Sequence, residues 1–197
     1  MKRPSSRQRR LVILILVLIT FSVAYYAGHL QKKRSPNLPQ ISGVLLNPPS
    51  PAPSIKLYNQ AGEPFSNSNL QGHWNLLMFD HATDTTASTA LTRLIQVHNR
   101  LAAFPELQHQ IDYYYIPHHG LGEVSISFSR MSDNIHILYG EAALVENLFQ
   151  AFGGTASEAG HTLHLIGPNT RLLALFTPDL DAATIAKDLK TLIDAVE

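Results

Sequence analysis

The sequence predicts an α/β domain with a mixed central sheet, carried behind a single N-terminal transmembrane helix. Three observations lead there. A basic tail runs straight into a long uncharged apolar stretch. The segment Trp74-Asn75-Leu76-Leu77-Met78-Phe79 is apolar almost without a break, as a strand covered on both faces must be. Beyond it, segments with helical spacing alternate with short β-rich runs.

Composition sets the outer limits. With 197 residues, 45% hydrophobic and 15% charged, the chain has material for one ordinary domain plus accessories. Its formal net charge is zero, which argues against nucleic acid as a partner. Ten histidines are scattered along the chain. The absence of cysteine excludes disulfides, thiolate metal sites, thiol redox chemistry and a cysteine nucleophile.

Residues 1–10 are a basic tail holding Lys2, Arg3, Arg7, Arg9 and Arg10. The apolar stretch 11–30 follows; its 20 residues, at about 1.5 Å each, span the ~30 Å core of a bilayer. Five basic residues precede it against Lys32, Lys33 and Arg34 behind it, so the tail is expected in the cytoplasm and the rest of the chain outside. A cleaved signal peptide is the competing reading, but Ala24 and Ala27 with Tyr25 and Tyr26 between them make a poor cleavage site. Residues 31–54 carry six of the twelve prolines and read as an extended Pro-rich linker. Within it, the apolar Ile41–Leu46 is a candidate to pack on the domain as an edge strand or partner loop.

The domain is expected over residues 55–197. Ile55–Tyr58 is a short strand, and Ser66–Leu70 a helical turn that Gly72 ends. Trp74–Phe79 is the central strand. Ala87, Leu91, Leu94, Ile95, His98, Leu101 and Ala102 give a helix from about Thr86 to Ala103, closed by Pro105. Ile111–Ile116 is the next strand, and Ile135–Tyr139 another or a loop. Leu144, Val145, Leu148, Phe149 and Phe152 make a helix face that Gly153-Gly154 stops. Thr162–Ile166 and Leu172–Phe176 form a hairpin around Gly167–Thr170, and a helix capped by Asp179 or Asp181 ends the chain. A β-α-β half followed by a hairpin and a terminal helix is the thioredoxin-like arrangement.

Between Phe79 and Ala87 the chain turns through Asp80–Thr86. In α/β sheets ligands collect at such strand-to-helix corners, where a helix N-terminus leaves backbone N–H groups unpaired. No glycine-rich phosphate loop, G-x-S-x-G elbow or H-E-x-x-H is present, and the carboxylates Asp80, Asp84, Asp112, Glu123 and Asp133 have no spacing that signals a catalytic pair. No enzyme activity is expected.

The N-terminal anchor, the Gly62–Phe65 and Asn67–Phe79 runs (GEPF, NSNLQGHWNLLMF), the LIGP turn at Leu165–Pro168 and the LFTPDLDAATIAKDL ending at Leu175–Leu189, taken in this order and spacing, resemble one family. It is the Sco (SenC-type) proteins, membrane-anchored copper chaperones of cytochrome c oxidase assembly with a thioredoxin-like domain. The resemblance implies an inner-membrane protein with its domain in the periplasm, and an oxidase subunit or a copper chaperone as partner. It also implies a Cys-x-x-x-Cys pair behind the second strand and a distant histidine, which together bind one copper ion. Counted without a gap from Gly72, the two cysteine positions fall on Asp84 and Ser88, with Thr85 and Thr89 where prolines usually follow. The histidine position falls on Ala159, and His161 takes it if two residues have been lost. An aspartate-rich loop is replaced by Pro117-His118-His119-Gly120.

The family's chemistry is therefore where the chain departs from it. One expectation is a divergent Sco-like assembly or partner-binding factor without thiolate copper ligation and without a cofactor. A second is copper(II) or zinc held by His161, Asp84 and a neighbour such as Ser88 or His81, since imidazole and carboxylate suit those ions. A thioredoxin-like envelope protein of unrelated role is a third. Asp84 also suits a helix N-cap, and Ser88 an ordinary first-turn residue. His118 and His119 read as solvated loop residues, and His98 as a satisfied core histidine.

Overall fold

The computed structural model describes residues 18–22, 39–80, 89–118, 127, 130, 133–154 and 161–196. The chain divides into two compact units, Met1–Pro39 and Gln40–Glu197. The second contains strands β1 (Val44–Pro51), β2 (Lys56–Asn59), β3 (Pro64–Ser66) and β4 (Trp74–Asp80), helices α1 (Thr89–Leu101) and α2 (Pro105–Gln110), then β5 (Ile111–Pro117), β6 (Ile135–Tyr139), α3 (Ala142–Ala151), β7 (Leu163–Ile166), β8 (Arg171–Phe176) and α4 (Ala182–Val196). A 3-10 turn, Asn67–Leu70, stands between β3 and β4.

The strands form one eight-stranded mixed sheet in the order β1-β8-β7-β4-β5-β6-β2-β3. β4 pairs in parallel with β5, and β5 with β6, while β4 meets β7 antiparallel. β4 is buried at every position, as its unbroken apolar sequence requires of a strand with a layer on each face. Successive side chains point to opposite faces, so Leu76 and Met78 join one core and Leu77 and Phe79 the other. The first core is closed by Leu91, Leu94, Val97 and Leu101 of α1 with Ile185, Leu189 and Ile193 of α4. The second is closed by Val145, Leu148 and Phe149 of α3 with Phe65, Leu70 and Phe152. This is the expected α/β architecture of thioredoxin-like type.

Three local differences have physical reasons. Part of the stretch read as linker joins the sheet: β1 pairs with β8 through Val44, Leu45, Ser50 and Pro51, with a register shift between. Prolines there are tolerated because β1 is an edge strand, on which missing N–H donors face no partner. Pro105 does end α1, but it also opens α2, where a first-turn proline lacks only a donor that has no acceptor in any case. Pro64 and Phe65, read as following a turn, pair with β2.

The chain's entry into the domain is fixed from α4. Asp188, on that helix and only 4% exposed, accepts hydrogen bonds from the backbone N–H of Ser42 at 2.7 Å and Gly43 at 3.0 Å. Asp181 caps α4 through the Thr184 N–H at 2.7 Å, as the sequence suggests. Among the described residues no helix is long and apolar enough to cross a membrane; the stretch 11–30 lies outside them except for 18–22, which are helical.

Candidate functional site

Strand direction decides which end of the sheet carries the candidate site. β4 and β5 run in parallel, pairing Asp80 with Pro117, so they finish at one edge. β7 runs the other way, with Leu163 opposite Met78, and therefore begins at that edge. Asp80, His118 and His161 thus belong to segments that meet at the carboxyl end of the central strands, the usual place for ligands in such sheets.

Asp80 is 5% exposed. It lies two residues along from the Met78–Tyr115 pair in the register, on the same face, and the Tyr115 hydroxyl reaches it to donate a very short hydrogen bond to Oδ2. The backbone N–H of His118 donates to the Asp80 carbonyl at 2.9 Å, tying the two strand ends together. The His118 side chain turns to α3, its Nε2 standing 3.6 Å from Oε2 of Glu146, and it is 21% exposed. His118 is therefore a largely covered, partnered residue rather than the solvated one expected from its loop sequence. No local signal reveals this, because Glu146 lies 28 positions away on another element.

His164, next to this edge on β7, is 3% exposed and packed edge-on against Phe79 and Phe152, with ring centroids 5.7 and 5.1 Å away. Burial dominates its chemistry and lowers its pKa to about 4, although backbone groups of Leu77, Phe152 and Thr162 oppose the shift. Among the described residues its Nδ1 has no hydrogen-bond partner. It is a neutral, walled-in imidazole at ordinary pH, unable to reach a shared ligand without unpacking both phenyl rings.

Of the residues singled out from sequence, His161 is half-buried on the approach to β7. Asp84, Ser88, His81 and His119 lie outside the described residues. His98 behaves as a core-edge histidine: it rests edge-on against Tyr113 at 5.1 Å, and Gln108 Nε2 lies 3.3 Å from its Nε2. Sequence reasoning missed the Asp80–Tyr115 pair, since Tyr115 looks like one more residue of a β-rich run. A groove of about 480 Å³ lined by Phe104, Leu107, Lys190 and Ile193 lies at α2, toward the opposite edge where β5 begins. The carboxyl-end site rests on strand direction and donor chemistry, not on that groove.

The donors at the carboxyl end do not fit thiolate copper. The chain has no cysteine, and Asp80, Tyr115, His118, Glu146 and His161 offer carboxylate, phenol and imidazole only. Copper(I) prefers sulfur, whereas such a set suits copper(II) or zinc. Among the described residues no three histidine, aspartate or glutamate side chains are already gathered closely enough to hold a metal ion.

No family model matches the chain. No curated protein matches it either. Solved structures do. The apo Sco1 protein of Thermus thermophilus superimposes with a TM-score of 0.62 at 21% identity, over 79% of this chain and 99% of that one. Yeast Sco1 with copper bound gives 0.57 at 16% identity, over 75% and 93%. The thioredoxin domain of a thiol-disulfide oxidoreductase from Bacteroides vulgatus gives 0.55 at 13% identity, over 73% and 96%. At these identities the likeness establishes the fold, which is the one the sequence resemblance implied.

Proposed function

We propose that this chain is a membrane-anchored, Sco-like factor of respiratory oxidase assembly that acts by binding a partner and has given up thiolate copper ligation. One observation carries the reading: a Sco-type fold is retained over nearly the whole domain, while the chain contains no cysteine. The partner would be an oxidase subunit or a copper chaperone, and the domain would stand in the periplasm on an inner-membrane anchor at 11–30. Support for the anchor is the uncharged run itself and its basic flank, together with Leu18, Ile19 and Phe21 on the surface of the helical turn at 18–22. The carboxyl end of β4 keeps its shape through the Asp80–Tyr115 pair, which needs no metal.

A second reading has specific support. The β4–β7 register brings the start of β7, with His161 shortly before it, to the edge where β4 ends at Asp80, and Asp84 follows Asp80 by four positions in the sequence. On that reading the site holds copper(II) or zinc through His161 and Asp84.

Two experiments separate them. Equilibrium dialysis of the full chain against copper(I) is expected to show no tight stoichiometric binding; tight binding would refute the loss of ligation. In the host organism, removal of the chain is expected to lower cytochrome c oxidase activity. Restoration by the His161→Ala variant as well as by the parent supports the partner-binding reading, and restoration by the parent alone supports the His161 metal site. Unchanged oxidase activity after removal would exclude an assembly role and favour an unrelated envelope function.

A further inference from the structure

The groove at α2 runs between that short helix and the last two turns of α4. Its floor is apolar and covered, with Leu107 8% and Ile193 1% exposed. One wall is Phe104, an aromatic ring left 39% exposed at the corner where α1 gives way to α2. A volume of about 480 Å³ lies within the range of binding clefts, about 300–1,000 Å³.

Three charged residues line the groove: Glu106, Lys190 and Asp194. They sum to one negative charge, in a chain whose formal net charge is zero. Lys190 is already engaged. Its Nζ donates a very short hydrogen bond to Oδ2 of Asp194, one helical turn on, and stands over the Phe104 ring, 5.7 Å from the ring centroid. Glu106 has no ion-pair partner among the described residues.

The chain thus places a cation of its own on the groove's aromatic wall. An ammonium is drawn to the negative face of an aromatic ring, and a carboxylate alongside holds it there. An arginine brought by another protein is better suited to both contacts than Lys190 is. Its guanidinium is flat and more weakly hydrated than an ammonium, stacks on a ring, and meets a carboxylate through two N–H groups at once. Lys190 gives way at little cost: its side chain is 42% exposed and that of Asp194 57%, and exposed pairs four apart on a helix contribute little. Glu106 supplies a carboxylate that no other described residue claims, and the covered floor takes the apolar neighbours of the incoming arginine.

We propose that this groove docks a segment of another protein in which an arginine is flanked by apolar side chains, the arginine displacing Lys190 from Phe104 and pairing with the carboxylates of the rim. The surface is at the edge opposite the carboxyl-end site and does not rest on the function proposed above.

The test is fluorescence anisotropy of two dye-labelled, amidated peptides titrated with the full chain: leucine-arginine-leucine, and a counterpart with glutamate in place of arginine. Saturable binding of the arginine peptide alone is expected, weakening as salt is raised. Phe104→Ala and Glu106→Gln should each weaken it about two- to fivefold, the range of one exposed cation–π contact. Lys190→Ala should strengthen it by a similar factor, because the ring and Asp194 are vacated; a lysine that served only to pack the fold would not shift affinity in that direction. All three side chains are at the surface, so the variants are expected to fold, which circular dichroism verifies. No saturable binding, equal binding of the glutamate peptide, or affinities unchanged across the three variants overturns the proposal. Self-association of the chain that Phe104→Ala abolishes, seen by sedimentation velocity, would overturn it in favour of a second copy as the occupant.

Discussion

Replacing His164 by leucine should flatten the pH dependence of stability on the acid side. The imidazole titrates at about 4 in the folded chain, against 6.5 in an unfolded one. Between those values the unfolded chain takes up a proton that the folded chain refuses, so acid favours unfolding. The contribution is fully present above pH 6.5 and is lost as the pH falls toward 4. Its full size is about 3.4 kcal/mol, at about 1.4 kcal/mol for each pH unit, and close to 2 kcal/mol of it disappears between pH 7 and pH 5. Urea unfolding of parent and His164→Leu at those two pH values measures the difference directly. Each protein's absolute stability cancels, as do the groups that titrate alike in both. The parent should lose roughly 2 kcal/mol more than the variant over this interval. Equal losses would mean that the imidazole is not held neutral by its burial between Phe79 and Phe152, and the account of this wall of the site would fail.

Other perturbations follow from the same contacts. Tyr115→Phe leaves Oδ2 of the buried Asp80 without its hydroxyl donor and should cost about 1.5–3 kcal/mol, read from the chemical denaturation midpoint. Asp188→Ala removes the acceptor for the Ser42 and Gly43 N–H groups and should cost about 2 kcal/mol or more, with faster proteolysis ahead of β1. Gly43→Ala should be destabilising by about 1–3 kcal/mol, because the added carbon would sit 2.7 Å from the Phe176 ring and 2.8 Å from the Leu175 carbonyl. The backbone oxygen cannot yield as a side chain could, and an unchanged melting temperature would contradict that packing.

The fold was legible where one residue pattern answered to one environment. Trp74–Phe79 reads as a central strand because both of its faces are covered, and Gly153, at φ +86, reads as a helix stop because few other residues adopt that conformation. β1 was ambiguous because three prolines in eight residues suppress every strand signal except position at an edge. Pro105 served two helices, and a proline's sequence context announces an ending more clearly than a beginning. The candidate site was less legible. Asp80–Tyr115 and His118–Glu146 are each assembled across strands or layers, from residues that carry no mutual spacing along the chain. Asp188 carries no signal in the sequence, because the backbone N–H groups it accepts from lie 146 and 145 positions away.

That carboxylate has a mechanical consequence. Any tension reaching the domain from its N-terminal side meets Asp188 at Ser42 and Gly43, then the β1–β8 ladder, before it can act on β4, β5 or β7. The strands that carry the candidate site are thus set back from the point where the chain enters the domain: a pull applied there is met first at the sheet's outer edge.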